Sequence, residues 1–202
     1  MNESNDFVLV ITWPYGLVKG AYSWYDYIFS KNGNYNFGHT ALILVNSNDG
    51  TNHYFDYGRF EGFKNLGRIR NSISDKKLDI KTRAIIKNGI VLNKAEIFQE
   101  INNNIDTKNL FLNSSKQIMY GAVINNINFE ESYRTATNMM NKKYKYGPFI
   151  FNGLTCGRFV YRIVNKSNAS LSNKFKTFFF DIIIRFRRFE KFAVTIFYKH
   201  NY

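Results

Sequence analysis

The sequence predicts an α+β fold in a single domain, on three observations. Runs of apolar and β-branched residues, bounded by turn formers, fill much of the first sixty positions. Two later segments, 128–140 and the stretch that starts at Cys156, repeat apolar residues at helical spacing. The chain has 202 residues with 45% hydrophobic and 18% aromatic content, enough for one sizeable core and tight for two.

Taken in order, Phe7–Thr12 is a continuous apolar run ended by Trp13 and Pro14, which suits a buried strand. Gly16 to Tyr35, rich in Gly, Tyr and Trp, reads as a loop with a short helix around Ser23 to Tyr27. Gly38 to Val45 reads as a strand, Asn46 to Gly50 as a turn and Asn52 to Tyr57 as the returning strand, the strongest local signal in the chain. From Gly58 to about Leu78 the glycines between Gly58 and Gly67 argue for a loop. Leu78 to Ile86 suits another strand, Lys94 to Asn103 a short helix with Ala95, Phe98 and Ile101 on one face, and Met119 to Ile124 a further strand. Asn128 to Met140 is helical in pattern, with Phe129, Tyr133, Ala136 and Met140 aligned. Tyr146 to Thr155 leads into a helix that begins at Cys156, with Thr155 as its cap and Phe159, Val160, Ile163 and Val164 as its buried face. Asn165 to Asn173 is polar, and Lys174 to Tyr202 alternates Phe or Ile with Lys or Arg in a pattern that fits a helix or a strand on the core. No internal repeat and no Pro- or Gly-rich linker divides the chain.

Composition narrows the function. Net charge is +13, a balance that favours an anionic partner. The Lys and Arg residues are scattered with no block of five, so a solvated surface is the plainer reading and no specific nucleic acid is expected. Cys156 is the lone cysteine, which excludes an internal disulfide and a Cys-based zinc site; no metal and no cofactor are expected. The first residues have neither a basic region nor an apolar core of a secretory leader, and no apolar run approaches the roughly 20 residues of a membrane span. A soluble protein in the reducing cytoplasm is the expectation.

Cys156 carries the chemistry. At the first turn of a helix, unpaired N–H groups and the helix dipole favour a thiolate, and the Cys156 N–H can help to bind an oxyanion. Of the three histidines, His200 lies in the tail, His53 near the hairpin tip where solvent is its expected neighbour, and His39 at the start of a core strand. His39 is therefore the candidate base. Folding the hairpin brings Asp56 and Tyr57 opposite His39, and a one-residue slip of register exchanges them. Asp56 is favoured to orient the imidazole, because a carboxylate suits a developing imidazolium. Tyr57 and His53 stay open for that third place, with Thr155 and Tyr146 as further residues lining the site. A lone Cys is more often a small buried hydrophobe, and a strand-initial His a packing residue; only their combination argues for chemistry.

Gly38–His39–Thr40–Ala41–Leu42, Tyr54–Phe55–Asp56–Tyr57–Gly58–Arg59 and Asn152–Gly153–Leu154–Thr155–Cys156–Gly157–Arg158, in that order, resemble the circularly permuted papain-like cysteine hydrolases, the NlpC-type and lecithin:retinol acyltransferase-like branch. In that branch the histidine precedes the cysteine. Gly67 to Ser72, Asp75 to Leu78 and Tyr146 to Phe149 further resemble an uncharacterised bacterial family within it. The likeness spans roughly residues 7 to 165. It implies an antiparallel sheet packed against helices, Cys156 as nucleophile, His39 as base and Asp56 or its neighbour as third residue. Gly157 departs from the pattern, where a small polar residue is expected.

Two functions follow. One is a cysteine hydrolase or acyltransferase that acts on a small acyl or peptide substrate, with residues 1–165 as the catalytic domain and 166–202 as a basic aromatic extension packed on it. The other is a non-catalytic basic binding module that meets anionic lipid or nucleic acid through residues 174–199, where Phe178, Ile182, Phe186 and Phe189 interleave with Lys176, Arg185, Arg187 and Arg188 and suit a membrane interface.

Overall fold

The computed structural model describes residues 5–13, 18–20, 24, 26–35, 38–60, 65–104, 119–147 and 150–185, with the backbone alone for 18, 19, 29 and 179–185. Strands β1 (Asp6–Trp13) and β4 (His39–Val45) are buried at every residue, which explains their lack of polar alternation: both faces of each are covered. They pair antiparallel, with Phe7 opposite Val45 and Trp13 opposite His39. The short strands β2 (Val18–Lys19) and β3 (Asn34–Tyr35) form a separate pair flanking α1 (Asp26–Phe29), where the short helix predicted around Ser23 to Tyr27 falls. Residues 14–17, 21–23 and 25 lie outside the described residues.

The hairpin continues from β4 to β5 (Asn52–Gly58), and β5 pairs with β6 (Leu66–Arg70). A small hairpin, β7 (Ile86–Lys87) and β8 (Ile90–Val91), precedes α2 (Lys94–Asn104). Then come β9 (Tyr120–Ile127), α3 (Phe129–Met140), β10 (Tyr144–Lys145), α4 (Cys156–Lys166) and α5 (Leu171–Arg185). The main sheet is antiparallel in the order β10-β6-β5-β4-β1-β9.

Successive residues of the central strands feed two cores. Val8, Val10, Leu42, Leu44 and Phe55 pack with Phe129 of α3 and with Phe159, Val160, Ile163 and Val164 of α4. Leu9, Ile11, Ile43 and Tyr54 pack with Ile97, Phe98 and Ile101 of α2. Each large apolar side chain so buried contributes roughly 1.5–3 kcal/mol. Buried Asp6 ties the layers: its carboxylate accepts from the Ser47 N–H and hydroxyl at one oxygen and from the Phe129 N–H at the other. Asn128 caps α3 by accepting from the Glu131 N–H.

Several expectations need correction. The segment from Gly58 to Leu78 holds β6, and Gly67 is a strand residue there. A Cβ at Gly67 would sit 2.5 Å from the Tyr57 ring, so the glycine makes room for a side chain from the neighbouring strand. The Tyr57 hydroxyl donates to the Tyr144 carbonyl at 3.1 Å, which prevents the ring from stepping aside. Gly67→Ala is expected to cost about 1–3 kcal/mol, read as a lower urea midpoint with an unchanged slope.

Residues 78–86 form no long strand. The Glu100 carboxylate accepts from the Lys81 and Thr82 N–H groups, Asn93 accepts from the Ile85 N–H, and Asn52 donates to the Thr82 carbonyl, so side chains replace a strand ladder. On α2 the buried residues are Ile97, Phe98 and Ile101, while Ala95 faces out. The loop expected over Asn165 to Asn173 is confined to residues 167–170, between the end of α4 at Lys166 and the start of α5 at Leu171, and the basic aromatic segment is helical through Arg185. It packs on α4 with Phe178 against Tyr161, ring centroids 5.4 Å apart. Residues 186–202, and with them His200 and most of the 174–199 stretch, lie outside the described residues. No helix among the described residues is long and apolar enough to cross a membrane.

Candidate active site

His39 opens β4 immediately after Gly38, whose φ of +72° is a left-handed conformation that glycine adopts without strain. The Thr12 hydroxyl donates to the His39 carbonyl at 2.9 Å and fixes the backbone there. The imidazole, 5% exposed, stacks on Trp13 at 5.8 Å and meets the edge of Phe60 at 5.9 Å. Two aromatic walls thus hold the ring.

The register settles which hairpin residue reaches it. Asp56 lies opposite Ala41, two residues along β4 from His39, so Asp56 and His39 share a face. Asp56 Oδ2 is 3.1 Å from His39 Nε2. Tyr57 points to the other core, where its ring stacks on Tyr146 at 5.8 Å. His53 lies opposite Leu44, remote from His39 along the strand, and packs its ring on Phe129 and Tyr133 at 5.4 and 5.0 Å. Solvent is thus not its main neighbour, and burial lowers its pKa against the pull of Asp49 and Asp79.

Asp56 is fully buried and completely engaged. Arg70, its partner across β5 and β6, donates from Nε to Oδ1 at 3.1 Å and from Nη2 to Oδ2 at 2.8 Å, and the Tyr54 hydroxyl donates to Oδ2 at 2.9 Å. Burial alone would raise the Asp56 carboxyl, but the hydrogen bond from His39 and the charge and hydrogen bonds of Arg70 hold it below its ordinary value. Burial likewise pushes the Tyr54 phenol well up, so it remains a donor.

Cys156 is the first residue of α4. The Thr155 hydroxyl caps the helix by accepting from the Arg158 N–H at 3.1 Å, and the Arg158 guanidinium donates back to the Gly153 carbonyl at 2.8 Å. A parallel bridge between Tyr146 and Leu154 ties the approach to the helix to the end of β10. The free thiol, 6% exposed, lies near enough to the imidazole for its charge to act on it. Since Nε2 faces Asp56, Nδ1 is the ring nitrogen left for the sulfur. Burial alone would lower the His39 pKa; the hydrogen bonds to Asp56 and Cys156 and their charges override it and raise it to about 9.

The structure therefore brings Cys156, His39, Asp56 and Thr155 together and sends Tyr57, His53 and Tyr146 elsewhere. Sequence reasoning missed Trp13, Tyr54, Phe60 and Arg70. Tyr54 was within reach, two residues before Asp56 and hence on its face; Arg70 required the pairing of β6. Among the described residues no group of three or more His, Cys, Asp or Glu side chains could hold a metal ion. A helix N-terminal thiol beside an imidazole that a carboxylate orients is an arrangement suited to nucleophilic acyl transfer.

No curated protein matches the chain. Among solved structures, the crystal structure of the type VI secretion system effector TseH is similar, with a TM-score of 0.50 and 21% identity over 80% of this chain and 76% of that one, a likeness of fold. The model of a family described as type VI secretion system effector TseH-like matches residues 8–173. This chain, with its six-stranded antiparallel sheet and flanking helices, belongs to the TseH-like family of type VI secretion system effectors.

Proposed function

We propose that the chain is a cysteine-dependent hydrolase or acyltransferase with a permuted papain-like fold, acting on an amide, ester or thioester. The observation that carries this reading is one imidazole set between a buried carboxylate, at 3.1 Å, and a thiol at the head of a helix. The Cys156 thiolate attacks the acyl carbon and forms a C–S bond, and the Cys156 N–H supports the oxyanion. The His39 imidazolium gives its proton to the leaving nitrogen, oxygen or sulfur as that bond breaks. Water, or an amine in the transfer reaction, then attacks the thioester while His39 takes its proton, and the thiolate leaves with the carboxylate or new amide as product. Asp56 holds the ring and stabilises its charge without taking the proton.

In this reading residues 1–165 supply the chemistry and 166–202 a packed extension. The family description names a type VI secretion system effector, and delivery through that system is part of the proposal. A cytoplasmic compartment, where the thiol stays reduced, is where the chain is made and keeps its activity. The test uses the lone cysteine: iodoacetamide at pH 7, followed by intact mass, is expected to modify Cys156 at least tenfold faster than it modifies glutathione. A rate equal to or below that of glutathione ends the proposal.

A further inference from the structure

We infer that Arg70 is a positioning residue, whose two-pronged grip on Asp56 sets the plane of the carboxylate and, through it, the direction in which the His39 ring faces Cys156. The inference rests on the proposed acyl-transfer reading, in which the aim of the ring matters.

The torsion that turns a carboxylate about its last bond is soft and two-fold, so burial alone leaves Asp56 free to rock. Arg70 removes that freedom by binding both oxygens, Nε to Oδ1 at 3.1 Å and Nη2 to Oδ2 at 2.8 Å. Oδ2 then meets the His39 ring at 3.1 Å and the Tyr54 hydroxyl at 2.9 Å in one fixed arrangement. Arg70 is itself restrained. Its guanidinium carbon lies 3.4 Å from the centroid of Phe60, and Nη1 is 3.7 Å from an Asp75 oxygen. Phe60 also packs nearly perpendicular to His39, so Arg70, Asp56, His39 and Phe60 close a ring of contacts in which no member turns alone.

A simple counter-charge would also satisfy buried Asp56, and the two roles predict opposite results. The groups that act on His39 are Asp56 from β5 and Cys156 from α4 and, through Asp56, Tyr54 from β5 and Arg70 from β6. If Arg70 only neutralises, Arg70→Gln leaves the Asp56 charge uncompensated and the His39 titration moves up, while Arg70→Lys changes nothing. If Arg70 positions, both variants loosen the Asp56–His39 contact, because a lysine is a single point charge without the planar fork. The His39 titration then moves down.

The experiment is an NMR titration of the imidazole signals in full-length wild type, Arg70→Lys and Arg70→Gln, with the His39 signal assigned by its loss in His39→Gln, alongside iodoacetamide labelling at pH 7. Wild type is expected to titrate near 9, and both variants at least one pH unit lower, with labelling of Cys156 slowed roughly tenfold. An unchanged or raised titration in either folded variant overturns the inference. The proposed function fails separately, through slow labelling of the wild type whatever the variants do.

Discussion

Exchanging His39 for alanine is expected to slow alkylation of Cys156 about a hundredfold at pH 6, with the difference closing as the pH approaches 9. A thiol without a cationic partner is ionised only to about 0.3% at pH 6. In the wild-type site the imidazole stays protonated up to about pH 9, so the sulfur has a cation beside it across the neutral range. A rate that does not respond to His39→Ala between pH 6 and 9 would show that the ring leaves the sulfur unaffected. The same titration predicts that turnover declines above pH 9, where the acid that protonates the leaving group is lost.

The second large effect is on stability. Asp56→Ala leaves the Arg70 guanidinium, 11% exposed, and the His39 ring without their common partner. Breaking one side of a buried ion pair costs about 3–5 kcal/mol, which at a urea slope of about 2 kcal/mol/M moves the midpoint by roughly 2 M. The loss depends on pH in a definite sense. The folded-state value of Asp56 lies below its ordinary 3.8, so its contribution is present above that value and disappears as the pH falls through the lower, folded value. That of His39 is raised from 6.5 to about 9, so its contribution is complete below 6.5 and disappears as the pH rises through 9. The gap between wild type and Asp56→Ala is therefore widest between about pH 4 and 6.5. Urea unfolding in steps from pH 3 to 10 measures it, and a flat difference would refute the assignment of both shifts to this contact.

Much of this arrangement is legible from residue types and spacing. The strand beginning at His39, the hairpin to Asp56 and the helix that opens at Cys156 each carry a local signal, and those signals survive tertiary context because the elements lie at the centre of the fold. The register of the hairpin is not legible. It depends on Gly50, at φ +72°, whose missing side chain admits the Ala84 carbonyl, at a closest distance of 2.6 Å to the position of a Cβ. Nor is β6, because Gly67 mimics a loop former and its reason, the Tyr57 ring, lies on another strand. Missing β6 meant missing Arg70. The run from Leu78 to Ile86 misled in the opposite direction, since an apolar pattern says nothing of whether Glu100, Asn93 and Asn52 will take the hydrogen bonds a neighbouring strand would have offered.

Trp13, which stacks on the imidazole, donates its indole N–H to the Asn102 side chain at 3.0 Å, and Asn102 belongs to α2 on the opposite face of the sheet from α4. The helix that contributes nothing chemical is thus mechanically coupled to the ring that does. A drift of α2 along the sheet would drag the indole and tilt its neighbour, so selection on alignment at the sulfur extends through the full thickness of the molecule.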